Sequence, residues 1–305
     1  MFRATLALRT FFPRTDPAAA PALMRRMNPI PPRPIAIVLG SGDVGSAVAH
    51  ALHGAGCAVV LIDDADPAWP RRGMAFVDAW YFGNAELDGV TACFCASVRS
   101  LPVVLERAEM VAATTWSWRG VAAALDPAVV IDARVAKRSP PARLKPHAPS
   151  PLLTVGLGPG YRVGEHVDLA IETAWGERLG ALVETGGTLP LAGEPRTLGG
   201  VGRERFVYAP LSGRFHTQAR IGDAVTAGQP VAALEGASIV APVAGVLRGL
   251  TARGARVSPG QKVVEIDPRG ESALCFGIGE RPRRIAAGVL EALATRGIVA
   301  GAAAR

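Results

Sequence analysis

The chain has 305 residues, of which 49% are hydrophobic and 19% charged; this excludes a disordered chain. No run of about 18 apolar residues occurs, so we expect no membrane-spanning helix and no membrane partner. The net charge of +7 is concentrated in residues 1–33, which hold six arginines and a single acid. The nearly neutral remainder argues against nucleic acid as a partner. Four cysteines are too few for a disulfide framework and favour a cytoplasmic location.

Residues 1–33 are rich in arginine, proline and alanine. Their composition resembles that of a mitochondrial leader, although they lack the apolar stretch of a secretory signal. We favour a disordered or non-native extension, because Met27 stands just before the first predicted strand and is a suitable translation start.

The first folded unit, residues 34–138, begins with a β-α-β pattern. Residues 35–39 form a continuous apolar run, which indicates a strand buried on both faces. A G-x-G-x-x-G turn follows at once, then a helix over 46–55 and a second apolar strand over 58–62. This order predicts a Rossmann-like domain with a phosphate-binding turn.

Each residue of the turn has an expected role. Gly40 allows the tight turn, Gly42 lets the backbone approach a pyrophosphate, and Gly45 lets the helix pack closely. Asp63, after the second strand, is placed to accept hydrogen bonds from ribose hydroxyls. Asp43 would repel an anion unless it caps the helix. Two interpretations remain open: a nucleotide site, or a fold that keeps the turn without using a nucleotide.

Further elements complete a mostly parallel sheet. We expect strands at 74–77, 109–113 and 128–132 and helices at 97–107 and 117–125. The last strand is followed by Arg134, Lys137 and Arg138. Since ligands bind outside the carboxyl ends of such strands, these cations could clamp a phosphate. The alternative is a solvated basic linker.

Residues 151–200 form a small α+β middle segment with a glycine-rich loop. A strand from residue 152 runs into Gly156, Gly158 and Gly160, and further strands are expected at 167–173 and 179–184. Three glycines in five residues impose an unusual backbone path. The loop could present N–H groups to an anion, or it could be a tight structural turn.

Residues 204–268 contain an internal repeat. The pattern A-P-x-x-G at 209–213 returns at 241–245, and the offset of 32 residues persists through G-x-x-V-x-x-G-Q-x-V. The repeat resembles the two halves of a lipoyl/biotinyl-type barrel-sandwich hybrid, an all-β module whose halves must pack together. The junction at 235–238 has no lysine, which excludes covalent biotin or lipoate.

Residues 269–305 form a tail with one helix over 282–295.

Motifs of hydrolases, zinc proteases and P-loop proteins are absent. No histidine shows metal-ligand spacing with a cysteine, so we expect no metal site. Catalytic residues cannot be named from the sequence, and whether the protein is an enzyme stays open.

Residues 34–295 resemble a known family, the YqeB-type accessory proteins of the selenium-dependent molybdenum hydroxylase system, which are related in role to xanthine dehydrogenase accessory proteins. The resemblance rests on Gly42-Asp43, Ala49-His50, Arg71-Arg72, Asp132-Ala133-Arg134, Ala136-Lys137-Arg138, Gly156–Gly160, Glu172-Thr173, the two A-P-x-x-G repeats, Asp267–Gly270 and Gly288–Ala292.

This resemblance implies a role in maturation of molybdenum hydroxylases, by handling or delivering a molybdopterin-type cofactor. The implied partners are an apo molybdenum hydroxylase or other cofactor-maturation proteins, and the implied ligand is a molybdopterin nucleotide or another nucleotide. Two alternatives remain. One is an NAD(P)-dependent oxidoreductase that uses the glycine turn and Asp63. The other is a non-catalytic scaffold with a relic nucleotide fold.

Overall fold

The structure is a computed structural model that describes residues 33–136, 139–145, 150–191 and 195–300. The predicted anion contacts Lys137 and Arg138, and the predicted extension up to residue 32, lie outside the described residues.

The protein is built on a mixed sheet of nine strands. They lie in the order β3-β4-β5-β2-β1-β6-β7-β8-β9, and all neighbours are parallel except β3 with β4 and β8 with β9. The strands are β1 (Ile35–Leu39), β2 (Ala58–Ile62), β3 (Asn84–Leu87), β4 (Val90–Phe94), β5 (Met110–Thr114), β6 (Val129–Asp132), β7 (Leu153–Leu157), β8 (Leu169–Ile171) and β9 (Leu182–Val183).

Helices cover both faces of this sheet. They are α1 (Asp43–Gly54), α2 (Ala79–Phe82), α3 (Ser100–Glu106), α4 (Trp118–Leu125) and α5 (Glu280–Ala294). One apolar core forms between the sheet and α1 with α5, and a second between the sheet and α3 with α4. β1 is fully buried because both of its faces meet helices, as its unbroken apolar run predicts.

The strand predicted at 74–77 is wrong. Two short 3₁₀ turns, Arg72–Met74 and Phe76–Asp78, take its place, and their apolar side chains are buried. The apolar run correctly indicated that these residues are buried, but a turn that packs on the core buries them as well as a strand does. The hairpin β3–β4 is not among the strands that the sequence predicts. Its loop, Asp88-Gly89, has positive φ at both residues, the conformation that this dipeptide favours in two-residue hairpins.

The middle segment contributes its three strands, β7, β8 and β9, to the large sheet rather than to a sheet of its own. They lie close to the predicted positions, although β8 and β9 are shorter than expected. The described residues of this segment contain no helix.

Two four-stranded antiparallel sheets form a sandwich. The strands are β10 (Phe206–Tyr208), β11 (Gly213–His216), β12 (Ala224–Val225), β13 (Pro230–Leu234), β14 (Ala237–Val240), β15 (Gly245–Leu250), β16 (Arg256–Val257) and β17 (Lys262–Asp267). The sheet orders are β10-β17-β15-β12 and β14-β13-β11-β16. Each sheet therefore takes strands from both repeats, and the 32-residue offset exchanges one sheet for the other.

The tail helix α5 packs against α1 on the large sheet. Its range, Glu280–Ala294, agrees with the predicted helix. Gly288 lets α5 also approach the segment between β8 and β9, because a Cβ there would lie 1.9 Å from the carbonyl oxygen of Gly180. The chain thus returns from the sandwich to the sheet where it began.

Candidate functional site

The carboxyl edge of the large sheet holds the predicted turn. The chain leaves β1 towards β2 on one side and returns on the other side as β6, and ligands of open α/β sheets bind at such a reversal. Gly40 follows β1 with a φ of +100°, and a Cβ there would lie 2.9 Å from Cγ of Arg134. The turn after β1 and the segment after β6 therefore meet.

Arg134 keeps its charge at this edge. Its Nε donates to Oδ1 of the buried Asp132 at 2.9 Å, and its Nη2 donates to Oδ2. Hydrogen bonds to Asp132 raise the pKa of Arg134. Its side chain stays 46% exposed, so part of the guanidinium can meet a ligand while Asp132 holds the rest.

The other two turn glycines are explained by close packing. A Cβ on Gly45 would lie 1.8 Å from the carbonyl oxygen of Gly40, so only glycine lets α1 begin so near the turn. A Cβ on Gly42 would lie 3.1 Å from the indole ring of Trp69. The ring thus lies against Gly42 where a side chain would project.

Asp63, predicted to bind ribose, already has protein partners. Its Oδ2 accepts hydrogen bonds from the backbone N–H of Ser41 at 2.5 Å, from the Ser41 hydroxyl at 2.8 Å and from Nε1 of Trp69 at 2.6 Å. This carboxylate holds the indole against the turn. A ribose could use Asp63 only by displacing or sharing these donors.

The N-terminus of α1 keeps unpaired donors. Among the described residues, the backbone N–H groups of Gly42 and Asp43 have no hydrogen-bond acceptor. The Asp43 side chain accepts from the N–H of Val44 at 3.1 Å and from Nη1 of Arg71 at 2.7 Å. Burial would raise the pKa of Asp43, but the charges of Arg71 and then Arg281 outweigh burial and lower it.

The glycine-rich loop after β7 is closely packed. A Cβ on Gly156 would lie 2.3 Å from the ring of Tyr161, and one on Gly158 would lie 3.3 Å from Val135. Gly160 has a φ of +77°. The loop thus abuts the segment that carries Arg134, and the structure brings Gly40, Arg134 and Gly158 together. The tight packing favours the structural interpretation of Gly156.

A second set of charged groups lies where the sandwich meets the large sheet. We call it the seam cluster, and it comprises Asp43, Arg71, Arg205, Arg248, Lys262, Glu265, Asp267, Arg269 and Arg281. Its centre is Glu265, whose side chain is fully buried. The Glu265 carboxylate accepts from Arg71 at 2.9 Å, from Arg205 at 2.6 Å and from Lys262 at 2.7 Å.

Burial and neighbouring charges shift the pKa values of Glu265 and Lys262 strongly. Burial would raise the pKa of Glu265, but Arg71 and Lys262 hold it well below its usual value. Burial lowers the pKa of Lys262 to about 8, despite the opposing charge of Glu265. The Asp267 carboxylate, also fully buried, binds Arg248 at 3.0 Å and Arg269 at 2.6 Å.

Arg281, in the first turn of α5, differs from the other cations. Its Nε donates to the carbonyl oxygen of Thr173 at 2.9 Å, and no described carboxylate lies within ion-pair distance. The nearby Glu172 is buried and accepts backbone N–H groups of Thr173, Ala174 and Leu189. Burial lowers the pKa of Arg281.

The local sequence pattern does not predict a site at Lys262 and Glu265. Comparison of the two repeats contains a signal, because the 32-residue offset aligns Lys262 with Pro230 and Glu265 with Ala233. The first repeat folds without charged residues at these two positions. The charges in the second repeat are therefore not needed for the sandwich core that both repeats build. Such a difference indicates a contact specific to one copy.

Comparison with known proteins gives one relative of substantial similarity. The chain is 32% identical over 259 residues to "Uncharacterized protein YqeB" of Escherichia coli (strain K12), and the match covers 85% of this chain. The match covers 47% of the relative, so the chain spans about half the length of YqeB. No protein-family model matches the chain.

One of the solved structures that the chain matches is the product-bound structure of the ectoine utilization protein EutE (DoeB) from Ruegeria pomeroyi, at 13% identity over 77% of this chain and 52% of that chain, with a TM-score of 0.20. A TM-score this low supports no conclusion about the present fold.

Two kinds of feature are absent from the described residues. No group of three or more His, Cys, Asp or Glu side chains is arranged to hold a metal ion there. Within the same ranges, no helix has the length and apolar character needed to cross a membrane.

Proposed function

We propose that this protein is an accessory factor for maturation of molybdenum hydroxylases, and that it binds the phosphate-bearing part of a molybdopterin-type cofactor at the carboxyl edge of the large sheet. The hydroxylase role follows from the YqeB-type resemblance, which the similarity to YqeB over most of the chain supports. The partner would be an apo molybdenum hydroxylase or another maturation protein.

The observation that carries the binding proposal is the meeting of the β1 turn with Arg134. Unpaired N–H groups of Gly42 and Asp43 lie at the N-terminus of α1, where the helix dipole favours an anion. The partly exposed Arg134 stands beside Gly40. Together they offer backbone donors and a guanidinium to one phosphate.

Strand order supports a Rossmann-like assignment of the large sheet. Without the hairpin β3–β4, the order β5-β2-β1-β6-β7-β8 is that of the dinucleotide-binding fold, third-second-first-fourth-fifth-sixth. The exchange of strands between the repeats likewise supports a lipoyl-like sandwich. With no lysine at the β13–β14 loop, we propose that the sandwich serves for docking and carries no biotin or lipoate.

The geometry argues against the oxidoreductase alternative. The Asp63 carboxylate is engaged by Ser41 and Trp69. NAD(P) bound in the usual way needs such a carboxylate for its ribose hydroxyls.

The cellular test removes the protein from a host that makes a molybdenum hydroxylase. We expect hydroxylase activity to be lost while the amount of hydroxylase polypeptide stays normal. The wild-type protein should restore activity, and Arg134→Gln should restore less. Full hydroxylase activity without this protein would refute the proposal.

The binding test is a thermal-shift series with molybdopterin nucleotides, NAD(H), NADP(H), ATP, CTP and GTP. A ligand at about 100 times its Kd adds roughly 2.7 kcal/mol, which raises the Tm by a few degrees. We expect the shift with the pterin nucleotide, and a smaller one in Arg134→Gln. A shift with NAD(H) alone would favour the oxidoreductase, and none with any ligand would favour the scaffold.

A further inference from the structure

One edge of the Arg134 guanidinium is held by Asp132. Nε of Arg134 donates to Oδ1 of Asp132 at 2.9 Å, and Nη2 donates to Oδ2. The backbone N–H of Arg134 donates to the same Oδ1 at 3.1 Å. The donors of one residue thus converge on one carboxylate, and the side chain folds back over its own main chain. Such a paired contact fixes the plane of the guanidinium.

The outer edge of the guanidinium has no partner among the described residues. Asp132 takes Nε and one N–H of Nη2, which leaves Nη1 and the second N–H of Nη2 as donors. These two nitrogens form a planar fork that matches two oxygens of one phosphate. The side chain is 46% exposed, so a ligand can reach the fork from solvent.

Asp132 is itself fixed by the sheet. It ends β6 between Leu39 of β1 and Gly156 of β7, and its side chain is only 4% exposed. A Cβ on Gly156 would lie 2.3 Å from the ring of Tyr161. Because paired residues of neighbouring strands project to the same face of a sheet, this ring shields the carboxylate from water. Burial, and then the charge of Asp132, raise the pKa of Tyr161.

The main chain at Arg134 is enclosed by two glycine turns. A Cβ on Gly40 would lie 2.9 Å from Cγ of Arg134, and one on Gly158 would lie 3.3 Å from Cα of Val135. Val135 has a φ of +49°, which is unusual for a β-branched residue. Such a conformation persists only where the surrounding structure holds it. Both the main chain and the side chain of Arg134 are therefore fixed before a ligand binds.

The same arrangement occurs again at Asp267 and Arg269. Arg269 donates to the buried Asp267 from its backbone N–H at 3.2 Å, from Nε at 2.9 Å and from Nη2 at 2.6 Å. Asp267 also binds Arg248 at 3.0 Å, whereas Asp132 has no second cation in the part of the chain that the structure describes. An Asp-x-Arg sequence at a strand end thus holds an arginine in one orientation, and Arg134 is the copy beside the β1 turn.

We propose that Asp132 is a positioning residue: it holds the Nε–Nη2 edge of Arg134 so that the Nη1–Nη2 edge meets two oxygens of one phosphate. This inference rests on the proposed binding of a phosphate group at the carboxyl edge. Asp132 acts on that group in two opposite ways. Its charge repels an anion, whereas its hydrogen bonds orient the arginine, and the orientation outweighs the repulsion.

The test is Asp132→Asn, because the two effects of Asp132 have opposite signs. Removal of a negative charge near the ligand would by itself tighten anion binding. Loss of orientation weakens it, and we expect the Kd to rise about tenfold or more. Isothermal titration calorimetry with inorganic pyrophosphate and with a molybdopterin nucleotide measures the Kd. Arg134→Lys should lose as much although it keeps the charge, because an ammonium group does not reproduce the two edges of the guanidinium.

A second readout needs no ligand. The Nε–H group of Arg134 should give a distinct signal in a ¹H–¹⁵N NMR spectrum, assigned by its absence in Arg134→Lys. In Asp132→Asn we expect this signal to shift or to vanish through faster exchange with water. The Nε–H signal of Arg269 in the same spectrum is the internal control and should not change. Arg269→Lys is the matched control for binding and should keep the wild-type Kd.

The outcomes separate this inference from the proposed function. If the wild type binds a probe and Asp132→Asn binds it as tightly or more tightly, the binding edge stands and the positioning role is wrong. Wild-type affinity in Arg134→Lys would also overturn the role, and this variant decides if Asp132→Asn does not fold. If neither probe binds to the wild type, the proposed binding edge is wrong, and so is this inference.

Discussion

At the residue scale, the glycines of the first turn differ in what surrounds them. A Cβ on Gly45 would meet the Gly40 carbonyl oxygen at 1.8 Å, whereas one on Gly54, at the other end of α1, would meet nothing within 4 Å. The same substitution in one helix therefore has opposite consequences. This separates the packing role of Gly45 from its weak helix propensity.

We predict that Gly45→Ala lowers the free energy of unfolding by about 3 kcal/mol or more, because α1 must move away from the turn. Gly54→Ala should be neutral or stabilise by up to about 1 kcal/mol, since alanine is the better helix former. Chemical denaturation of both variants measures the difference. Equal stability of the two variants would show that the turn relaxes without cost.

At the element scale, the sequence predicts the elements that are determined by a few consecutive residues. The continuous apolar runs of β1 and β2 and the glycine turn between them carry their own signals, and the structure agrees there within a few residues. The placement of Arg71 could not be predicted in this way. Its partner Glu265 is 194 residues away along the chain, so only the assembled fold brings them together. The contact of Trp69 with Gly42 could not be predicted either, because nothing in the sequence around Trp69 indicates it.

Helix α5 supplies a test in which packing opposes propensity. Gly288 touches the Gly180 carbonyl oxygen, whereas Ala287 is exposed on the same helix. We predict that Gly288→Ala destabilises the protein by about 1–3 kcal/mol, although alanine favours the helix. Ala287→Gly should cost up to about 1 kcal/mol through propensity alone. The denaturation midpoints of both variants and the wild type measure these effects. A Gly288→Ala protein more stable than the wild type would mean that α5 packs less closely than described.

At the scale of the whole molecule, the seam joins the sandwich to the large sheet. Besides the Arg71–Glu265 pair, the carbonyl oxygen of Pro70 accepts the N–H of Leu250 at 2.7 Å. The segment that carries Trp69 is thus bound to β15 on one side and to the turn through Asp63 on the other. A change at the sandwich would reach Gly42 through this segment, which links the proposed docking module to the proposed binding edge.

Acid should weaken this connection through Glu265. Because its pKa in the folded protein lies well below the usual value, ionised Glu265 contributes stability above a pH of about 4.5, and that contribution is lost as the pH falls further. We predict that Glu265→Gln destabilises the protein by about 3–5 kcal/mol at pH 7, since it leaves buried cations unpaired. The variant should also lose less Tm than the wild type between pH 5 and pH 3.

The matched control for that experiment is Glu177→Gln, at an exposed position, which should follow the wild type at every pH. Calorimetry adds a second readout, because loss of the central carboxylate frees the sandwich from the sheet. We expect Glu265→Gln to unfold in a broader transition or in two steps, while the wild type unfolds in one. A single sharp transition with wild-type pH dependence would show that apolar packing and backbone bonds, not the seam charges, couple the two parts.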